Sequence, residues 1–101
     1  MNAPNPVDTR RAGLAGETAI GWHLTEDSRV SLTLYDLFGR RVQTWNFTPG
    51  QEGGRAGANE IFWDGANEAG QKVSKGGYIA EIEVQTPQTT ARAIRKIGVI
   101  H

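Results

Sequence analysis

The sequence predicts an all-β sandwich. Hydrophobic and polar residues alternate over short stretches, the period of a strand that buries one face. Glycine, proline, asparagine and aspartate interrupt these stretches at intervals of about 10 to 15 residues, where turns are needed. Helical periodicity is sustained almost nowhere. At 101 residues the chain suits one domain with one modest core, burying roughly two thirds of the surface its unfolded form would expose.

Residues 1–16 read as an N-terminal linker or first edge segment, and residues 17–101 as the sandwich domain. Within the linker, APNP is held extended, because proline fixes its own φ and keeps the residue before it out of the helical region. In ETAIGWHL the residues Ile20, Trp22 and Leu24 share a face. RVSLTLYD puts Val30, Leu32 and Leu34 on one face and Ser31, Thr33 and Tyr35 on the other, and the polar turn TEDS joins the two segments. DLFGRRV is a tight turn in which Gly39 can take positive φ; it closes a hairpin into RVQTWNF, where Trp45 and Phe47 follow Val42.

TPGQEGGRAG is too rich in glycine for regular structure and reads as a flexible loop. After it, Asn59, Ile61 and Trp63 alternate with Glu60 and Phe62. GYIAEIEVQ sets Tyr78, Ala80, Ile82 and Val84 against Glu81, Glu83 and Gln85, a one-sided strand. A turn around Pro87 leads to the last strand, TTARAIRKIGVI, with Ile97 and Val99 opposite Ile94, Lys96 and Ile100. Six to seven strands result, with no internal repeat of solenoid or propeller length.

Eleven basic residues balance eleven acidic ones, so no overall field draws the chain to nucleic acid or an anionic membrane. The absence of cysteine removes disulfides, thiolate metal sites and cysteine nucleophiles together. The sequence has no apolar run long enough for a signal peptide or a membrane span, so no membrane insertion is expected. If the chain works outside the cell, it is expected to be carried there within a longer precursor.

Few residues point to chemistry. A hydrolytic triad needs a histidine base near a nucleophile, yet the two histidines are His101, the last residue, and His23, on a strand face away from Trp22 and Leu24. Calcium could use Asp64, Asn67 and Glu68, but an EF-hand needs glutamate twelfth from its first ligand, and that position holds Lys75. An irregular calcium loop over Asp64–Gly70 is the version left open. Glu81 and Glu83 share a face as they would on any solvated strand. No phosphate-cradling glycine motif occurs, and no cofactor is expected. Of the three tryptophans, Trp22 and Trp63 fall on apolar faces. Trp45 and Phe47, beside the glycine-rich loop, are the candidate ligand-facing pair, with a polysaccharide as the ligand.

Four stretches together, APNP at 3–6, RVSLTLYDLFGRRV at 29–42, WDGANEAGQKVSKGGY at 63–78 and RKIGVI at 95–100, resemble the immunoglobulin-like domain of the flagellar hook-capping protein FlgD. The form they resemble is found at the C-terminal end of large secreted bacterial proteins. The resemblance implies an immunoglobulin-like, fibronectin-III-like sandwich of about seven antiparallel strands. It also implies folding roles for the matched residues: Val30, Leu32, Leu34, Trp63 and Tyr78 in the core, Asp36 with Gly39 in a turn, Asp64, Gly65 and Gly70 in a loop, and Gly76 and Lys96 at the last two strands. Val7 and Gly77 depart from the family pattern, and Gly77 suggests a bulge or a looser strand start. The C-terminal sorting domains of type IX secretion are similar too, though their WDG loop is shorter than the one here.

The function so implied is that of a non-catalytic module, the C-terminal domain of a larger exported protein, extracellular or at the cell surface. It would serve in structural support, attachment or secretion sorting, with parent-chain domains, another protein or the secretion machinery as partners. A carbohydrate-binding module and a flagellar hook-cap assembly domain are the alternatives.

Overall fold

The computed structural model describes residues 18–74 and 76–99. Six strands form there: β1 (Thr18–Leu24), β2 (Arg29–Asp36), β3 (Arg41–Phe47), β4 (Gly57–Trp63), β5 (Gly76–Gln85) and β6 (Thr90–Val99). A seventh would have to come from the N-terminal edge segment, which lies outside the described residues, as do Val7, His101 and the side chain of Lys96.

All pairings are antiparallel. β1 pairs with β4 in a two-stranded sheet, and the other four make a sheet in the order β3-β2-β5-β6. The TEDS turn therefore carries the chain from one layer to the other, while the DLFGR turn closes the expected hairpin between sheet neighbours. β2 has partners on both sides, and its inward residues Val30, Leu32 and Leu34 are all 0% exposed. The register sets Leu32 opposite Ile82 on one side and Trp45 on the other, and directly opposed residues share a face. Ile20, Trp22, Leu24 and Trp63 from the smaller sheet close over Tyr78, Ala80 and Ile82 to complete the core.

The outer face of the larger sheet is bound by polar pairs. Thr33 and Thr44 hydroxyls lie 3.1 Å apart, Ser31 donates to Asn46 at 2.9 Å, and Arg92 bridges Glu83 at 2.8 Å and Glu81 at 3.4 Å. Glu81 and Glu83 thus share one guanidinium, whose own proton is held more tightly by its hydrogen bond to Glu83 and the nearby Glu81 charge.

The irregularity in the ladder is not at Gly77. β5 pairs with β6 without a break from Gly76 to Gln85. The register instead slips between Leu34 and Tyr35, where Gln43 and then Arg41 are the partners. Val42 is the extra residue of this bulge and is buried. A Cβ at Gly77 would make only ordinary contact with the Leu37 side chain, at 3.5 Å, so neither packing nor register requires glycine there.

Tyr78 fixes the corner where β5 begins. Its hydroxyl donates to the Ser74 carbonyl at 2.6 Å, and its ring meets Trp63 edge-on with centroids 5.7 Å apart. A tyrosine early in a strand, bonded to backbone a few residues upstream, is the corner device of immunoglobulin-type sandwiches. Burial, and then the Asp36 charge, push this phenol above its ordinary value.

Candidate functional site

In the acidic, glycine-rich connection between β4 and β5, Asp64 and Asn67 are spent on the connection's own backbone. Asp64 accepts the Ala66 N–H at 3.0 Å, and the Trp63 indole donates to the Ala66 carbonyl at 2.8 Å. Gly65 (φ 81°) and Gly70 (φ 84°) turn the chain in the left-handed region, which only glycine enters freely. Ala66 and Lys72 bridge, Val73 N–H returns to the Gly65 carbonyl at 2.7 Å, and the Lys72 ammonium caps the Asp64 carbonyl. Asn67 accepts the N–H groups of Ala69 and Gln71 at 2.9 and 3.0 Å.

Glu68 faces elsewhere. Its N–H donates to Val42 and its carboxylate pairs with Arg41 at 2.8 Å, which docks the connection against β3. The candidate oxygens of Asp64, Asn67 and Glu68 are thus each held by different donors. Among the described residues, no group of three or more His, Asp, Glu or Cys comes together that could hold a metal ion.

The aromatic candidates are packed. Trp45 and Phe47 are half-buried against the core. The Phe47 ring lies 5.5 Å from Trp22 at a tilt of 44°, and Gly53 approaches it so closely that a Cβ there would be 2.3 Å from the ring. His23 is exposed on β1.

The glycine-rich loop expected to be flexible is bonded on every side. The Trp22 indole donates to Gly53 O at 3.0 Å, and Gly53 N–H donates to Asn59 at 2.8 Å. Asn59 donates in turn to Arg55 O at 2.9 Å and Gly57 O at 3.2 Å. Ser28 and Gly50 N–H groups both reach Gly54 O, and Ala56 N–H reaches Asp27. Glycine composition reads as freedom, whereas here it permits close backbone approach. The signal that could have shown this was Asn59, an amide on the inward face beside Ile61 and Trp63. A buried amide needs partners, and at 4% exposure it finds them in the loop.

Asp36 builds the β2–β3 turn. Its Oδ1 accepts the N–H groups of Phe38 and Arg40, both at 2.9 Å, and its Oδ2 takes the Arg40 side chain at 2.7 Å, while Gly39 supplies φ 85°. The Arg40 N–H first, then the Arg40 guanidinium and the Phe38 N–H, hold this carboxyl below its ordinary 3.8, against some desolvation. A depressed carboxyl pKa contributes stability that is complete above the unfolded value and is lost as pH falls through the folded one. Asp36→Asn should therefore melt below the wild type at neutral pH, and the gap should close as pH drops from about 5 to 2. Thermal melts across that range check it, and a gap independent of pH would refute the assignment.

The profile of the FlgD Ig-like domain matches residues 8–88 of this chain. No curated protein matches. Among solved structures, dimeric latent PorU from Porphyromonas gingivalis is similar over 93% of this chain and 9% of its own, at 20% identity and a TM-score of 0.71. FlgD from P. aeruginosa is similar over 94% of this chain and 67% of its own, at 19% identity and a TM-score of 0.67. PorZ of P. gingivalis, described as an essential bacterial surface component of the type IX secretion system, is similar over 98% of this chain and 12% of its own, at 17% identity and a TM-score of 0.57. At these identities the likeness is one of fold.

Proposed function

The chain belongs to the FlgD Ig-like domain family, and from that premise we propose that it is a non-catalytic module of a larger exported bacterial protein, which it sorts to or holds at the cell surface. The observation that carries this reading is proportion: a sandwich of this kind makes up only 9% of the PorU chain and 12% of the PorZ chain, so there it works as one part of a long polypeptide. The polar groups agree with such a role. Asp36, Asp64 and Asn67 hold turns, Glu68, Glu81 and Glu83 are paired with arginines, and Trp63 and Tyr78 lock a corner.

The test is a fusion of this chain to the C-terminus of an exported reporter in a bacterium with a type IX system. The reporter should become accessible to protease added to intact cells, and a Trp63→Ala fusion should not. A wild-type fusion retained in the periplasm would overturn the sorting role.

A further inference from the structure

We propose that the β4–β5 connection guards the open edge of the larger sheet. Glu68, together with the Gln43 side chain, occupies the β3 backbone groups through which a second copy of this chain would otherwise pair its own β3. This inference rests on the sheet edge and not on the sorting role.

Among the described residues β3 is paired with β2 alone and ends the larger sheet. Along an antiparallel edge strand, every second residue turns its N–H and C=O away from the sheet. That row is a template on which another chain can pair. Here it is met in turn. The Val42 C=O accepts the Glu68 N–H at 2.9 Å, the Thr44 N–H donates to Gln43 Oε1 at 3.0 Å, and just past the strand the Thr48 C=O accepts the Gln51 N–H at 3.2 Å. Between these bonds lie the Thr44 C=O and Asn46, too short a run for a strand to hold.

The guard is itself fixed at both ends of Glu68. Its carboxylate is tied to Arg41 of β3 at 2.8 Å. Its N–H is aimed by a turn that the Gly70 N–H closes on the Asn67 C=O at 2.9 Å, with the Asn67 side chain accepting the Ala69 and Gln71 N–H groups. The bulge at Val42 adds to the effect, because it kinks and twists the strand at the point where pairing would start.

The composition of β3 explains why it needs such protection. Val42–Phe47, VQTWNF, holds no charge, proline or glycine and is rich in strand-forming residues, which is the signature of a segment that pairs with its own kind when exposed. β6, by contrast, carries Arg92, Arg95 and Lys96, and charge on an outer strand deters pairing. The occupant kept out is β3 of a second copy. Run antiparallel about a two-fold axis, the same row supplies donors opposite acceptors, a self-complementary contact that requires no other partner.

The test removes the guard without removing the strand. Glu68→Pro deletes the N–H and suits its place, because Glu68 follows the first residue of the Asn67–Gly70 turn, where proline is favoured. Gln43→Val deletes the amide oxygen that holds the Thr44 N–H. In sedimentation velocity the double variant should self-associate about tenfold or more tighter than the wild type, with Gln43→Val alone showing part of the gain. Adding Asn46→Lys should return the double variant to the wild-type state, since it puts a charge on the pairing edge. Glu68→Ala keeps the N–H and should behave as the wild type. A folded double variant that associates no more than the wild type would overturn the proposal, as would Glu68→Ala chains associating like Glu68→Pro, or association that Asn46→Lys leaves intact. If thermal melts show that the proline variants do not fold, Gln43→Val decides alone, and its matching the wild type up to millimolar concentration overturns the proposal.

Discussion

Trp63→Ala is expected to cost about 3–5 kcal/mol of folding stability, the range for truncating a large buried aromatic. Trp63 is 1% exposed and the largest of the fully buried side chains. Its loss opens a cavity between the sheets, removes the edge contact to Tyr78, and leaves the Ala66 carbonyl without the indole N–H. Trp63→Phe divides the effect, restoring much of the volume but not the hydrogen bond. It should fall about 1–3 kcal/mol short of the wild type, the cost of an orphaned buried polar group together with imperfect packing. Urea unfolding followed by tryptophan fluorescence gives both values, and a Trp63→Ala cost under about 1 kcal/mol would contradict a core role for this residue.

Gly54→Ala should be the second severe change. A Cβ at Gly54 would lie 2.3 Å from the Thr48 carbonyl oxygen and 2.6 Å from that of Ser28. Both are backbone atoms, so no rotamer change relieves the contact, and overpacking of this kind costs about 1–3 kcal/mol. The loop must also shift away from the Ser28 and Gly50 N–H groups that bond to Gly54 O, with about 1 kcal/mol lost per hydrogen bond. Gly70→Ala is the comparison. Gly70 has φ 84° but nothing within 4 Å of its Cβ position, so only the left-handed conformation is penalised, at about 1–2 kcal/mol. Equal midpoint shifts for the two variants would show that close approach at Gly54 is not what the loop depends on.

Legibility in the sequence followed the physics of each element. β2 and β5 could be read because a period of two with one apolar face admits one burial pattern, and Val30, Leu32, Leu34, Ala80 and Ile82 are buried accordingly. Turns whose chemistry is local could also be read: Asp36 with Gly39, and Asp64 with Gly65 and Gly70, bond within a few residues of themselves. What escaped was whatever depends on distant partners. Alternation does not say which sheet a strand joins, so the crossing of TEDS between layers was invisible. A glycine in a strand suggests irregularity, which points to Gly77, yet the ladder runs unbroken there and the bulge lies at Val42. The glycine-rich loop was misjudged for a related reason, since its restraints come from Trp22, Ser28, Asp27 and Asn59. At the candidate site, the residue types were plain, but that Glu68 would pair with Arg41 across the fold was not.

The unequal sheets have a consequence in time. The β2–β3 hairpin closes through a short turn, whereas pairing Leu24 with Gly57 and Thr18 with Trp63 must first bring together segments separated by that whole hairpin and the loop after it. Ends so far apart pay their closure entropy before any contact repays it. The pairing of β2 with β5 inside the larger sheet joins segments farther apart still, Arg29 with Gln85, so both of these long closures are expected to follow the local hairpins. Trp63 and Gly54 both make their contacts across such long closures, so their substitutions should act chiefly by accelerating unfolding, with refolding rates little changed. How long the folded sandwich persists is then governed by how tightly these long-range pairings are latched, more than by how quickly its hairpins form.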